Sequence, residues 1–195
     1  MAEAAEVRVV RNTFRALQKA YAKHDIKSLD SLVSDLFPPD GEVTIIGTSG
    51  MLPMEHEWPV EVKGARALIE GDWRGWGSVY WDVHGARIKV VGEVAWLDAT
   101  AFVEKDLPKD EVYANHLKYI QNMLEAKVPD EEKVAEIARG ASNVMMEVMK
   151  GPNFVWPLRF SAVLQRMESR WVFRQMHFSF PTTRFPDERL LDMKK

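Results

Sequence analysis

The fold is decided by residues 154–181, which read FVWPLRFSAVLQRMESRWVFRQMHFSFP. Two runs of alternating apolar side chains are separated by a short polar break at Glu168–Arg170, and this pattern predicts a β-hairpin. In the first run one face carries Leu158, Phe160, Ala162 and Leu164. Because both runs are long and partly apolar on both faces, we expect the hairpin to lie inside a sheet rather than at its edge.

The second run of the hairpin also has two predicted faces, because successive side chains of a strand point to opposite sides. One face is expected to carry Val172, Arg174, Met176, Phe178 and Phe180. The other is expected to carry Trp171, Phe173, Gln175, His177 and Ser179.

The composition is that of a single globular domain spanning residues 1–195, with 46% hydrophobic and 28% charged residues. A net charge of −3 without a basic block argues against nucleic acid or an anionic membrane as a partner. The absence of cysteine excludes disulfides and thiolate metal sites. The first residues show no signal-peptide pattern and no apolar run is long enough to span a membrane, so we expect a cytoplasmic protein.

The spacing of apolar residues predicts the helices and strands of the rest of the chain. Helical spacing predicts helices over residues 3–23, 26–36 and 64–76, with Asp25 capping the second. Strands are predicted over residues 42–47, 79–91 and 94–105. Residues 107–151 return to helical spacing and form a two-helix insertion before the hairpin. This order predicts an α+β fold, a curved antiparallel sheet with helices on one face.

Four segments carry a resemblance to a known superfamily: GEVTIIGT (41–48), EGDWRGW (70–76), GEVAWLDATAF (92–102) and RWVFRQMHFS (170–179). They resemble the nuclear-transport-factor-two-like superfamily and, within it, the SnoaL-like branch. The chain is also similar to the association domain of calcium/calmodulin-dependent protein kinase. The resemblance implies a cone-shaped sheet wrapped around the N-terminal helices, with a pocket on its concave face. It leaves out the 107–151 insertion.

The resemblance also implies site residues. Trp73 matches the aromatic residue that closes the third helix over the pocket, and Asp98 matches an inward position on the middle strand. Met176 and Phe178 match inward positions on the last strand, and alternation places Arg174 beside them.

Two interpretations remain open for these residues. Asp98, the one candidate catalytic residue, is a pocket acid, base or anchor, or else a buried carboxylate that needs Arg174 as its partner. The two are compatible, because such a pair could hold the polar end of a ligand. Trp58, Trp73 and Trp96 could stack a flat ligand or simply fill the core.

Other chemistry is not expected. The His56–Glu57 pair is too small a ligand set for a metal site, and the five histidines show no metal-binding spacing. No cofactor is predicted, and no Ser–His–Asp set is visible. Ketosteroid-isomerase-like members of the superfamily use a carboxylate base on the first strand and an acid on the first hairpin strand. The corresponding residues here, Ile45 and Ala162, are apolar, so an isomerase of that type is not expected.

The predicted function is the binding of a compact, largely apolar or aromatic small molecule, with or without catalysis. The alternative is a structural homodimerisation module with a vestigial pocket. In either case we expect a homodimer through the convex face of the sheet, on a patch of Ala95, Leu97, Ala99, Ala101, Phe173, Gln175 and His177. The 107–151 insertion is a lid over the pocket, an arm of the dimer or a cover for a sheet edge.

Overall fold

A computed structural model describes residues 4–180 except 49, 51, 55–56, 76, 106–107 and 151–153. Its helices are α1 (Ala5–Lys23), α2 (Leu29–Leu36), α3 (Val62–Gly75), α4 (Lys109–Glu125) and α5 (Asp130–Lys150). Its strands are β1 (Thr44–Ile46), β2 (Ser78–Trp81), β3 (Arg87–Val91), β4 (Val94–Lys105), β5 (Phe154–Met167) and β6 (Arg170–Ser179). Helices α1–α3 and most of the sheet belong to one compact unit, which comprises the chain up to Glu104 and the segment that begins at Trp156. Helices α4 and α5 belong to a second unit.

The six strands form one open sheet in the order β1-β6-β5-β4-β2, with β3 also pairing to β4. Strand β1 runs parallel to β6, whereas β2 and β3 run antiparallel to β4 and β5 antiparallel to β6. The hairpin of β5 and β6 turns at Glu168 and Ser169, and Glu168 has the left-handed φ of 55° that tight hairpin turns use. The α+β class and the central position of the hairpin are therefore confirmed.

Helix α1 packs its apolar stripe against the sheet. The stripe consists of Val10, Phe14, Leu17 and Tyr21, all of them buried. Phe14 stacks on Phe160 of β5 with ring centroids 5.4 Å apart. Phe160 also contacts Trp81 at 5.4 Å and Phe178 at 5.0 Å. These rings form the aromatic centre of the core, between α1 and strands β2, β5 and β6.

The single strand predicted over residues 79–91 is wrong, because a turn divides it into β2 and β3. Asp82 Oδ1 accepts a hydrogen bond from the Gly85 backbone N–H at 2.8 Å, which is the local turn that aspartate favours. Arg11 of α1 donates to the carbonyls of His84 and Ala86 at 3.0 and 3.2 Å and so fixes the turn against the helix. Local turn chemistry thus overrides the β-branched pattern.

The predicted faces of β4 are reversed. Ala95, Leu97 and Ala101 are buried, whereas Trp96 and Phe102 are 43% and 40% exposed. The alternation of β4 is as predicted, but the face predicted to point into the core is the exposed one. Small apolar residues fit beneath the helices, whereas an inward Asp98 would have carried an uncompensated charge into the core. Ala95, Leu97 and Ala101 of the predicted dimer patch therefore belong to the core, whereas Ala99 is half-buried.

A β-bulge changes the faces of β6. Val163 pairs with Gln175 and Leu164 with Phe173, so that Arg174 is an extra residue between two ladder positions. Met176 and Phe178 are buried as predicted, but alternation shifts by one residue across the bulge and Phe173 is buried with them. The prediction that Phe173 faces outward is therefore wrong.

The bulge residue Arg174 is held by a carboxylate outside the sheet. Its Nη1 and Nη2 donate to the two carboxylate oxygens of Asp40 at 2.8 and 2.6 Å, and its Nε donates to Gln165 Oε1 at 2.8 Å. The bidentate contact has the geometry of strong arginine–carboxylate pairs. The hydrogen bonds from Arg174 hold the pKa of Asp40 below its usual range.

The two helices predicted within the insertion are present as α4 and α5 and pack against each other. The Tyr119 hydroxyl donates to Glu136 Oε2 at 3.1 Å. A Cβ added at Gly140 would lie 3.1 Å from the Tyr119 ring and 3.2 Å from the His116 ring, so glycine permits the close approach. No helix in the described part of the chain is long and apolar enough to cross a membrane. The role of this helix pair, as lid, arm or edge cover, stays a prediction.

Candidate functional site

A cavity of about 250 Å³ lies where α1, α3, β1 and β6 meet. Its walls combine apolar side chains, glycines and a few polar groups. They comprise Tyr21, Ile45, Gly47, Thr48, Glu57, Leu68, Gly71, Asp72, Gly75 and Phe178. The volume is slightly below the usual range of ligand pockets, roughly 300–1,000 Å³, so a ligand here has to be compact.

Glu57 reaches the cavity because the loop after β1 folds back along that strand. The Ile45 backbone N–H donates to the Pro59 carbonyl at 3.0 Å, and the Gly47 N–H donates to the Glu57 carbonyl at 2.7 Å. A Cβ added at Gly47 would overlap the Glu57 carboxylate and lie 3.0 Å from its carbonyl. Glycine at position 47 therefore makes room for Glu57 at the cavity wall.

Asp72 is the central polar group. It lies on α3 beside the buried residues Leu68, Ile69 and Trp73, and its Oδ2 accepts a hydrogen bond from the Tyr21 hydroxyl at 3.1 Å. Burial raises the pKa of Asp72 to about 7, and the nearby charge of Glu57 acts in the same direction, while the Tyr21 hydrogen bond opposes it. Asp72 can therefore gain or lose a proton near neutral pH.

Aromatic packing holds Tyr21 in place. Its ring makes edge contacts with Trp73 at 5.8 Å and Trp81 at 5.1 Å. His24, which ends α1 in a left-handed conformation, also stacks on Trp73, with ring centroids 6.2 Å apart. Burial, helped by the charge and hydrogen bond of Asp72, raises the pKa of Tyr21 well above its ordinary value, and burial lowers the pKa of His24. Tyr21 thus remains a hydrogen-bond donor to Asp72 at neutral pH.

The arrangement can anchor a polar group and move a proton. Asp72 supplies a group that titrates near neutrality, Tyr21 supplies a fixed donor, and Glu57 supplies a second carboxylate. Within the described residues there is no cluster of three or more side chains that could hold a metal ion. The polar groups at the cavity can form hydrogen bonds, pair with charge and exchange protons.

The sequence matches no protein-family model, and no curated protein matches it significantly. Solved structures do share its architecture. One is a candidate dehydratase of the NTF2-like family from Streptomyces avermitilis, with 12% identity, a TM-score of 0.57, and coverage of 91% of this chain and 97% of its own. This protein has the NTF2-like fold. The superfamily resemblance of the sequence is thus confirmed at the level of fold, whereas the SnoaL-like branch stays a prediction.

Two further structures with the NTF2-like fold cover nearly the whole chain. An NTF2-like protein of unknown function from Pseudomonas putida KT2440 is 11% identical, with a TM-score of 0.57 and 100% coverage of both chains. A candidate calcium/calmodulin-dependent protein kinase II association domain from Xanthomonas campestris is 12% identical, with a TM-score of 0.53, and covers 94% of this chain and 91% of its own. At such identities the likeness concerns the fold alone.

Among the residues predicted from the sequence to bind a ligand, Phe178 lines this cavity. Trp73 lies one layer behind it, against Tyr21 and His24. Met176 is fully buried in the core. Trp58 is half-buried in the loop beside β1, where its carbonyl accepts a hydrogen bond from the Met54 N–H at 2.9 Å.

The other predicted residues lie elsewhere, and the predicted pair of Asp98 with Arg174 is wrong. Asp98 Oδ2 pairs with Arg87 Nε at 2.6 Å on the outer face of the sheet. Arg174 instead binds Asp40, and Trp96 is exposed on the same outer face as Asp98, with the Lys89 ammonium 5.6 Å from its ring centroid. The reversed faces of β4 and the bulge in β6 separate these groups from the cavity.

Sequence reasoning missed Tyr21, Thr48, Glu57 and Asp72 as site residues. A signal for Asp72 was present: it follows Leu68 by four residues and Ile69 by three, and therefore lies on the apolar stripe of α3. A carboxylate within a buried stripe needs a partner or a function. Glu57 carried no comparable signal, because its position depends on how an irregular loop folds back on β1.

Proposed function

We propose that this protein binds a compact small molecule in the cavity and exchanges a proton with it through Asp72. The observation that carries the proposal is the Asp72 carboxyl, which is hydrogen-bonded by Tyr21 within a cavity whose other walls include Ile45, Leu68 and Phe178. A general acid or base works best when its pKa lies near the working pH. The pKa of about 7 meets that condition.

Acid–base chemistry also agrees with the names of two solved structures that share the fold. One is the candidate dehydratase of the NTF2-like family, and another is a candidate scytalone dehydratase from Novosphingobium aromaticivorans, which has a TM-score of 0.54. Loss of water from a substrate requires a proton to leave one atom and another to reach the departing hydroxyl. Asp72 could serve both steps, with Tyr21 orienting its carboxyl, if this chain catalyses a reaction of that class.

The proposal predicts that binding depends on Asp72 and on pH. A thermal-shift screen of compact amines, alcohols and ketones should find ligands that raise the melting temperature, because a ligand at 100 times its Kd adds about 2.7 kcal/mol of stability. The Asp72→Asn variant should bind these ligands at least about tenfold more weakly, which corresponds to about 1.4 kcal/mol. In the wild type the affinity should change between pH 6 and pH 8.

Two further variants test the location of the site, one as a negative control and one as a steric block. Asp98→Asn removes the carboxylate on the outer face and should bind ligands like the wild type. Gly75→Leu places a side chain at the cavity wall, where an added Cβ meets no atom within 4 Å, and should weaken binding without loss of folding. Unchanged affinity and an unchanged pH profile in folded Asp72→Asn would refute the proposal.

A second candidate function, assembly as a homodimer, is favoured by the outer face of the sheet. Trp96 and Phe102 are exposed there, and Phe102 stacks on Tyr80 with centroids 5.1 Å apart. Exposed aromatic residues on a flat face are typical of an interface. Static light scattering should give the mass of a dimer at micromolar concentration, and Trp96→Lys with Phe102→Lys should give a monomer. A wild-type monomer under those conditions contradicts this assembly.

A further inference from the structure

The cavity has an uneven charge. Its described lining residues include two carboxylates, Asp72 and Glu57, and no lysine or arginine. Two arginines of α3 are engaged elsewhere, since Arg66 and Arg74 both pair with Glu70, at 2.8 and 2.6 Å. A ligand in the cavity therefore meets negative charge without a compensating cation.

This imbalance decides which ligand charge the cavity can accept. A carboxylate or phosphate would be placed beside like charge in a partly desolvated space, which is unfavourable. A neutral polar group would leave the repulsion between the two carboxylates uncompensated. A cation would pair favourably with both of them.

We propose that the cavity selects a compact ligand in which a protonated amine is attached to an apolar body, and that it excludes carboxylates and phosphates. The amine lies between Asp72 and Glu57, and the apolar body lies against Ile45, Leu68 and Phe178. The inference rests on the proposed function, because it assumes that this cavity is the binding site. It adds the chemical class of the ligand.

Binding of such a cation is coupled to the titration of Asp72. The groups that face Asp72 are Tyr21 from α1 and Glu57 from the loop, with His24 beyond Trp73. An alkylammonium group titrates near 10, so the ligand keeps its charge at neutral pH. Because Asp72 titrates at about 7, affinity should rise about tenfold from pH 6 to pH 8 as its carboxyl becomes ionised, and binding near pH 7 should release a proton to the buffer.

The test uses three probes of similar size and different charge: benzylamine, benzyl alcohol and benzoate. Isothermal titration calorimetry of the full chain at pH 8 should show benzylamine binding at least tenfold more tightly than benzyl alcohol, with no detectable binding of benzoate. Titrations near pH 7 in two buffers of different ionisation enthalpy should reveal the released proton. Asp72→Asn and, independently, Glu57→Gln should bring the amine and alcohol affinities closer together, whereas exposed Asp35→Asn should not.

Each other outcome overturns the inference. If benzyl alcohol or benzoate binds as tightly as benzylamine, the cavity is a binding site without the proposed charge selection, and the proposed function survives. If none of the three binds at millimolar concentration, the selection is again refuted, and the wider thermal-shift screen decides the proposed function separately. Glu57→Gln keeps the test decisive if Asp72→Asn fails to fold.

Discussion

Replacing Phe160 with alanine is expected to lower the free energy of unfolding by about 3–5 kcal/mol, the usual range for removing a buried phenylalanine ring. Phe160 is 2% exposed and contacts the rings of Phe14, Trp81 and Phe178 at centroid distances of 5.0 to 5.4 Å. Its loss leaves a cavity where α1 meets β2, β5 and β6. Urea unfolding followed by tryptophan fluorescence measures the change.

Phe102→Ala provides the matched control for this substitution. The same ring is removed from the outer face of β4, where Phe102 is 40% exposed in the single chain and stacks on Tyr80. Because Phe102 also belongs to the proposed dimer contact, both variants are compared at a protein concentration at which light scattering gives a monomer. The expected loss is about 1 kcal/mol, the value of one aromatic pair with little burial. If both variants lose the same stability, Phe160 does not lie at the centre of the core.

The sheet could be predicted from the sequence wherever a local signal decides the structure. Alternation over residues 158–164 gave the buried face of β5, and the polar break at Glu168 gave the turn. The face of β4 could not be predicted, because Ala95–Leu97 and Trp96–Asp98 alternate equally well and the choice depends on which layer lies above each. The bulge at Arg174 could not be predicted either, because the partner of Arg174 there, the carboxylate of Asp40, is distant in sequence.

The candidate site was harder to predict than the fold, because its polar groups come from three separate segments. Tyr21 ends the stripe of α1, Asp72 interrupts the stripe of α3, and Glu57 belongs to a loop with no periodicity. Each has an ordinary interpretation alone, as a core tyrosine, a helix-surface acid and a loop acid. The chemistry appears only when the fold brings the Tyr21 hydroxyl to 3.1 Å from Asp72.

Asp72→Asn is expected to stabilise the protein at alkaline pH even though it weakens ligand binding. The pKa of Asp72 is raised by burial from 3.8 to about 7 in the folded chain. Between these values the folded state holds a proton that the unfolded state has lost, so stability falls as the pH rises through this window. Each pKa unit corresponds to 1.36 kcal/mol, which makes the full cost above pH 7 on the order of 4 kcal/mol at most.

Asparagine removes that cost because it has no charge to bury, and its side-chain oxygen can still accept the Tyr21 hydrogen bond. In urea unfolding at pH 8 the variant should therefore be more stable than the wild type by up to about 4 kcal/mol, whereas near pH 4 the two should agree. Asp35→Asn, an exposed substitution on α2, should follow the wild type at both pH values. A variant less stable than the wild type at pH 8 would show that the Asp72 charge is compensated in the folded chain. We expect a gain in stability together with a loss of binding where a partly buried carboxylate serves function rather than folding.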